Sequence, residues 1–292
     1  VKSLEQLSSL EQINSINKIL NTEQIDFFIK YSKIPIPTND YTCLYYYLNK
    51  LKPYYSTDII EDFLNEINSE KFHNLKNEII QSKNKIIEYI KKELESINTT
   101  QINKFPKLLD KTNIYKTTNT NKNLISIDIK KANWNGLKKI LKNNSNNENL
   151  DELTWEKFLE KFTKSEFIKK SKYFRECIFG EINCKNINNI ICEFITEINN
   201  TIINNDKFKN KLKKIHCNTD EIIYEITNSE LFDFDELLKL IQTIDSEFNV
   251  YRIEYFVLEQ IKPYDYYIKK ILKSNEKKYF EIQFKQIPKY YL

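Results

Sequence analysis

Three short segments of this 292-residue chain carry side chains that can do chemistry together. Asp128 sits near the end of the apolar run Leu124-Ile-Ser-Ile-Asp-Ile129, which reads as a buried strand, and helical spacing follows from Ala132. A carboxylate in such a place is unfavourable unless it is paired or bound to a metal. Asp220 and Glu221 lie at a turn, Asn218-Thr-Asp220, between two β-rich runs, Lys213–Cys217 and Glu221–Ile226, that read as a hairpin. If hairpin and strand are neighbours, three carboxylates converge at one edge of a sheet. Two divalent cations, Mg²⁺ or Mn²⁺, need such a cluster to clamp the attacking and leaving oxygens of a phosphoryl transfer.

The third segment lies between them: Lys169-Lys-Ser-Lys-Tyr-Phe-Arg-Glu-Cys-Ile-Phe-Gly180. At helical spacing Lys172, Arg175 and Phe179 share a face. Cations beside an aromatic ring suit a nucleoside triphosphate, with phosphates on the cations and the base on the ring. Arg175 is the better grip, because a guanidinium forks onto phosphate oxygens where an ammonium does not.

In this order the three segments resemble the palm and fingers motifs of family A DNA polymerases. Ser126-Ile-Asp128, running into Ile-Lys-Lys-Ala-Asn-Trp134, is similar to that family's first motif. Arg175-Glu-Cys-Ile-Phe179-Gly180 resembles the Lys-x-x-x-Phe-Gly core of its nucleotide-binding helix, with arginine in the lysine's place. Thr219-Asp220-Glu221-Ile-Ile-Tyr-Glu225 resembles its His-Asp-Glu hairpin. The resemblance implies that Asp128 and Asp220 ligate Mg²⁺, that Arg175 holds the triphosphate, that Phe179 stacks on the incoming nucleotide and that Asn133 stands near its sugar. The chain departs from the family at Thr219 (for His), Asn183 (for Tyr) and Ser171 (for Arg), and only 92 residues (220 − 128) separate the two aspartates. The Asp-Glu hairpin is also similar to the palm of tRNA-His guanylyltransferase-like enzymes, whose Gly-Arg-rich first motif is absent. Metal-dependent nucleotidyl transfer on nucleic acid is one expectation; a palm that has lost catalysis and only binds nucleic acid in a replication complex is the other. A purely structural protein with chance matches is the third.

The elements that must position these residues give an α+β chain. Residues 1–100 read as a helical module, with Leu4, Leu7, Leu10, Ile13, Ile16 and Leu20 at helical spacing, further helices over 40–52 and 57–68, and a long Lys/Glu-laced one over 70–97. This module is a candidate surface for a protein partner. A Thr-, Asn- and Lys-rich linker or loop covers 101–123. Residues 124–292 read as a palm-like domain, an antiparallel sheet with helices on one face. Its helices are expected over 132–141, 151–162, 164–180, 186–204 and 234–243, and its last strands over 251–258, 264–272 and 278–287.

Composition bounds the partners. The chain is 40% hydrophobic and 29% charged, which excludes a disordered chain, and it has no apolar run of membrane-spanning length. Its net charge of +4 permits a polyanionic partner without requiring one. Five cysteines without CxxC spacing read as thiols, and with no secretory signal pattern this points to an intracellular, cytoplasmic or nuclear protein. Lys, Asn and Ile are abundant while only Gly136, Gly180, Ala132, Arg175 and Arg252 represent their types, the mark of an AT-rich genome such as a large DNA virus or a protist; that bias does not account for the absence of Met. Each candidate also has a plain alternative. Asp128 could cap a helix, Asp220-Glu221 could be turn residues, Gly180 could end a helix, and Phe179, Trp134 and His216 could be core.

Overall fold

The computed structural model describes residues 21–32, 62, 66, 69–95, 112–144, 153–227, 232–244, 250–272 and 279–287. The expected helices over 3–20 and 40–52, and most of 57–68, lie outside these residues. The chain divides into two compact units. One takes its residues from 1–95 and Leu153–Asn183, the other from 96–152 and Cys184–Ile287. Leu153–Asn183, assigned by the sequence reading to the C-terminal domain, thus groups with the N-terminal helices.

The helical unit contains α1 (Thr22–Ser32) and α2 (Ser69–Glu95), then α4 (Trp155–Leu159), α5 (Glu166–Lys170) and α6 (Lys172–Ile182), of which α6 packs on both α1 and α2. The sequence anticipated one helix over 164–180, but Ser171 interrupts it. Its hydroxyl accepts from Phe174 N at 3.1 Å, capping α6, and donates to Tyr31 O at 2.8 Å. Gly180 does not end α6: the helix runs on to Ile182 and stops at Asn183, whose left-handed backbone (φ 42°) is one that asparagine tolerates.

The other unit is built on one six-stranded antiparallel sheet. Its strands are β1 (Asn123–Ile129), β2 (Leu212–Cys217), β3 (Glu221–Ile226), β4 (Tyr251–Ile261), β5 (Tyr266–Leu272) and β6 (Tyr279–Lys285), in the order β2-β3-β1-β4-β5-β6. Helices α3 (Ala132–Asn144) and α7 (Lys185–Asn204) lie between β1 and β2 in the chain, and α8 (Phe234–Ile244) between β3 and β4. Without β5 and β6 this is a β-α-β-β-α-β arrangement with β1 at its centre. The expected α+β class, with an antiparallel sheet, is the one observed.

Strand alternation sorts the side chains onto two faces. Ile125, Ile127 and Ile129 on β1 point to the helical side, where Tyr224 Oη donates to Asn199 of α7 (3.2 Å), Tyr251 Oη donates to Phe194 O (3.1 Å), and Phe234 of α8 stacks on Tyr255. α7 turns Ile187, Ile190, Ile191, Phe194, Ile195, Ile198 and Ile202 inward at helical spacing. Gly136 lets α3 approach it closely, since a Cβ there would lie 3.0 Å from Ile187 Cγ2. Among the described residues no helix is long and apolar enough to cross a membrane.

Candidate active site

Asp128, Ser126 and Leu124 point to the face away from the helices. At the Leu124 end that face is closed by Ile114 and Tyr115, which pack over Leu124, Ile223, Phe256, Leu258 and Ile271. His216, expected to be structural, anchors the covering segment through Nδ1 to Thr112 O at 2.8 Å. The Asp128 end is polar.

β3 and β4 flank β1, and their registers decide what surrounds Asp128. Glu221 stands directly opposite it on β3, and Arg252 directly opposite it on β4. Ile129 N donates to Asp220 O at 2.9 Å, tying the hairpin turn to the end of β1. The strand bearing Asp128 and the hairpin bearing Asp220-Glu221 are therefore neighbours, and the three carboxylates come to one end of the sheet. Asp128 does not cap α3, which begins at Ala132, after Lys131 makes the turn with φ 45°. Its Oδ2 instead accepts from Arg252 Nη2 at 3.0 Å.

The network runs on across the face. Arg252 Nε lies 3.4 Å from Glu254 Oε1, and Lys269 Nζ lies 2.5 Å from Glu254 Oε2 after crossing 4.3 Å above the Phe256 ring. Ser126 Oγ donates to Glu221 Oε1 at 2.5 Å. Among the described residues the Asp220 carboxylate has no hydrogen-bonding partner. Burial pushes Asp128 up to about 6; Arg252 opposes this, and the charges of Glu221, Asp220 and Glu254 add to it. Burial also lifts the Tyr115 phenol to about 12, with Glu221 and Glu254 contributing, and holds the Lys285 ammonium below its ordinary range.

Carboxylate oxygens are the donors Mg²⁺ prefers, but with Arg252 paired to Asp128 the arrangement does not fit a divalent ion. Among the described residues no group of three or more His, Cys, Asp or Glu is placed to hold a metal. One oxygen of Asp128 is already taken by Arg252, and one of Glu221 by Ser126.

The remaining candidates divide between the units. Asn133 is exposed on the first turn of α3, in the sheet unit. Lys172, Arg175 and Phe179 belong to α6 in the helical unit. Lys172 is exposed and pairs loosely with Glu176 (3.8 Å). Arg175 is half-buried, and burial lowers its pKa against the charges of Glu156 and Glu176. Phe179 is only 6% exposed and packs on Trp155 at 5.7 Å between ring centroids. Its ring is part of the core of that unit, as is Trp134 of the sheet unit.

Arg252, Glu254 and Lys269 were missed from sequence. Arg252 carried a signal, being one of only two arginines, and β4 alternation puts it on the same face as Glu254. No protein-family model matches this sequence, no curated protein is detectably similar to it, and no solved structure matches its fold.

Proposed function

We propose that this chain handles nucleotides on nucleic acid at a palm-type site, with metal-dependent nucleotidyl transfer as its reaction. The observation that carries the reading is the register that sets Asp128 opposite Glu221, with Asp220 bonded through its backbone to Ile129. The chain path supports it. Between the strand of the first motif and the hairpin of the third, the chain leaves the sheet unit after α3 and returns at α7. The intervening helices carry Lys172 and Arg175, two cations suited to a triphosphate. Asp128 and Asp220 are the groups that would hold Mg²⁺ or Mn²⁺, and this requires Arg252 to leave Asp128. The four described cysteines are thiols, which suits a reducing compartment. The test is incorporation of a labelled nucleoside triphosphate into nucleic acid with Mg²⁺ or Mn²⁺ present: incorporation by the wild type that persists in Asp220→Asn excludes the proposed role.

The Arg252–Asp128 pair favours a second reading, a palm that binds nucleic acid without catalysis. A carboxylate neutralised from within the protein has less need of a metal. On this reading Asp128→Asn and Asp220→Asn leave nucleic-acid binding intact or improve it, whereas Lys172→Gln or Arg175→Gln weakens it and lowers its salt dependence.

A further inference from the structure

The disagreement between the carboxylate cluster and a metal site has one physical origin, the guanidinium of Arg252. We infer that Arg252 is an internal counter-ion occupying the place of a divalent cation on Asp128, so that arginine and metal are alternative partners of that carboxylate. The inference rests on the palm-type reading of the site and says how the site is closed and opened.

Register makes the pairing intrinsic to the sheet, because Arg252 and Asp128 are directly opposed on hydrogen-bonded strands. The arginine is nevertheless not locked. Its side chain is 57% exposed, and ion pairs so open to water are worth only about 0–1 kcal/mol. It also has somewhere to go. Glu254 Oε1 already lies 3.4 Å from its Nε, so when Asp128 turns to a metal the guanidinium keeps one carboxylate and frees donors for a phosphate. Lys269 holds the other oxygen of Glu254, which keeps that acceptor in position. The Asp220 carboxylate, which has no hydrogen-bonding partner among the described residues and acts electrostatically on Asp128, leaves oxygens for the ion that displaces Arg252. Arg252 is thus a positioning residue that sets how readily the acidic cluster accepts a cation.

The experiment is a titration of the full chain with Mn²⁺ alone, reading free Mn²⁺ by electron paramagnetic resonance. The wild type is expected to bind weakly at a site that Asp128→Asn abolishes. Arg252→Gln removes a positive charge a few ångströms from the incoming ion and should tighten that site about tenfold. Arg252→Lys keeps the charge but loses the fork, should fall between the two, and carries the comparison if the glutamine variant does not fold. A wild-type site whose affinity is unchanged or weakened in both Arg252 variants overturns the inference and leaves the metal-dependent reading standing. Absence of any Asp128-dependent site, in the wild type and in both variants, removes that reading and the inference with it.

Discussion

Replacing Asp128 by asparagine should make the protein more stable at alkaline pH. In the folded chain burial and three neighbouring carboxylates raise Asp128 to about 6 from an ordinary 3.8, against the pull of Arg252. The proton is therefore bound more tightly folded than unfolded. The stability it confers is fully present below pH 3.8 and is lost as pH rises through about 6. By pH 8 the wild type holds an ionised carboxylate whose confinement costs up to about 3 kcal/mol, at roughly 1.4 kcal/mol per pH unit. The side chain is 24% exposed, and screening by water brings the expected figure to about 1–3 kcal/mol. Asparagine cannot ionise, so Asp128→Asn should exceed the wild type by that amount at pH 8 and match it near pH 3.5. Melting followed by circular dichroism at both pH values resolves this, since each kcal/mol moves the midpoint by about 2–4 °C in a chain of this size. A variant no more stable than wild type at pH 8, or equally favoured at both pH values, would refute the reasoning. A carboxylate that opposes folding is the kind a protein retains for a ligand.

Phe179→Ala should destabilise the helical unit by about 3–5 kcal/mol, because the ring is buried against Trp155; thermal melting with a loss under about 1 kcal/mol would show that the ring is not core. Gly136→Ala should cost about 1–3 kcal/mol, since the new methyl meets Ile187 Cγ2 at 3.0 Å and Ile187 O at 3.1 Å; urea unfolding checks it. Arg175→Gln should lower the salt slope of single-stranded oligonucleotide binding by about one while Gly136→Ala leaves the slope alone, measured by fluorescence anisotropy across a salt series.

Local periodicity made the elements legible, and little more. Short apolar runs rich in β-branched residues marked β1 and β3, and Asn218-Thr-Asp220 marked the turn between β2 and β3. Asp128 stood out because a carboxylate in an otherwise apolar strand needs a reason. The adjacency of β1 and β3 could be posed only as a condition, because pairing between distant segments leaves no local trace. The same gap hid Arg252: its opposition to Asp128 is a register between residues 124 apart. Ser171 was read against the family pattern, when its hydroxyl works locally as a helix cap. The grouping of Leu153–Asn183 with the N-terminal helices is likewise set by which helical surfaces find each other, as where α6 packs on α1 and α2.

The central place of β1 in the sheet has a consequence for biosynthesis. Its two neighbours arrive late, because Ser126 waits 95 residues for Glu221 and Asp128 waits 124 for Arg252. At translation rates of about 5–20 residues per second, the first edge of β1 stays bare for roughly 5–20 s and the second for longer. Through that interval a strand of three isoleucines and a leucine has no partner for its backbone amides, the condition under which nascent chains pair with one another. The helices made in between, from α3 to α7, supply mainly local contacts and can form before the sheet does. A nascent chain halted before Val250 would therefore present β1 with one edge still open, and slower synthesis or chaperone capture should matter most over that stretch.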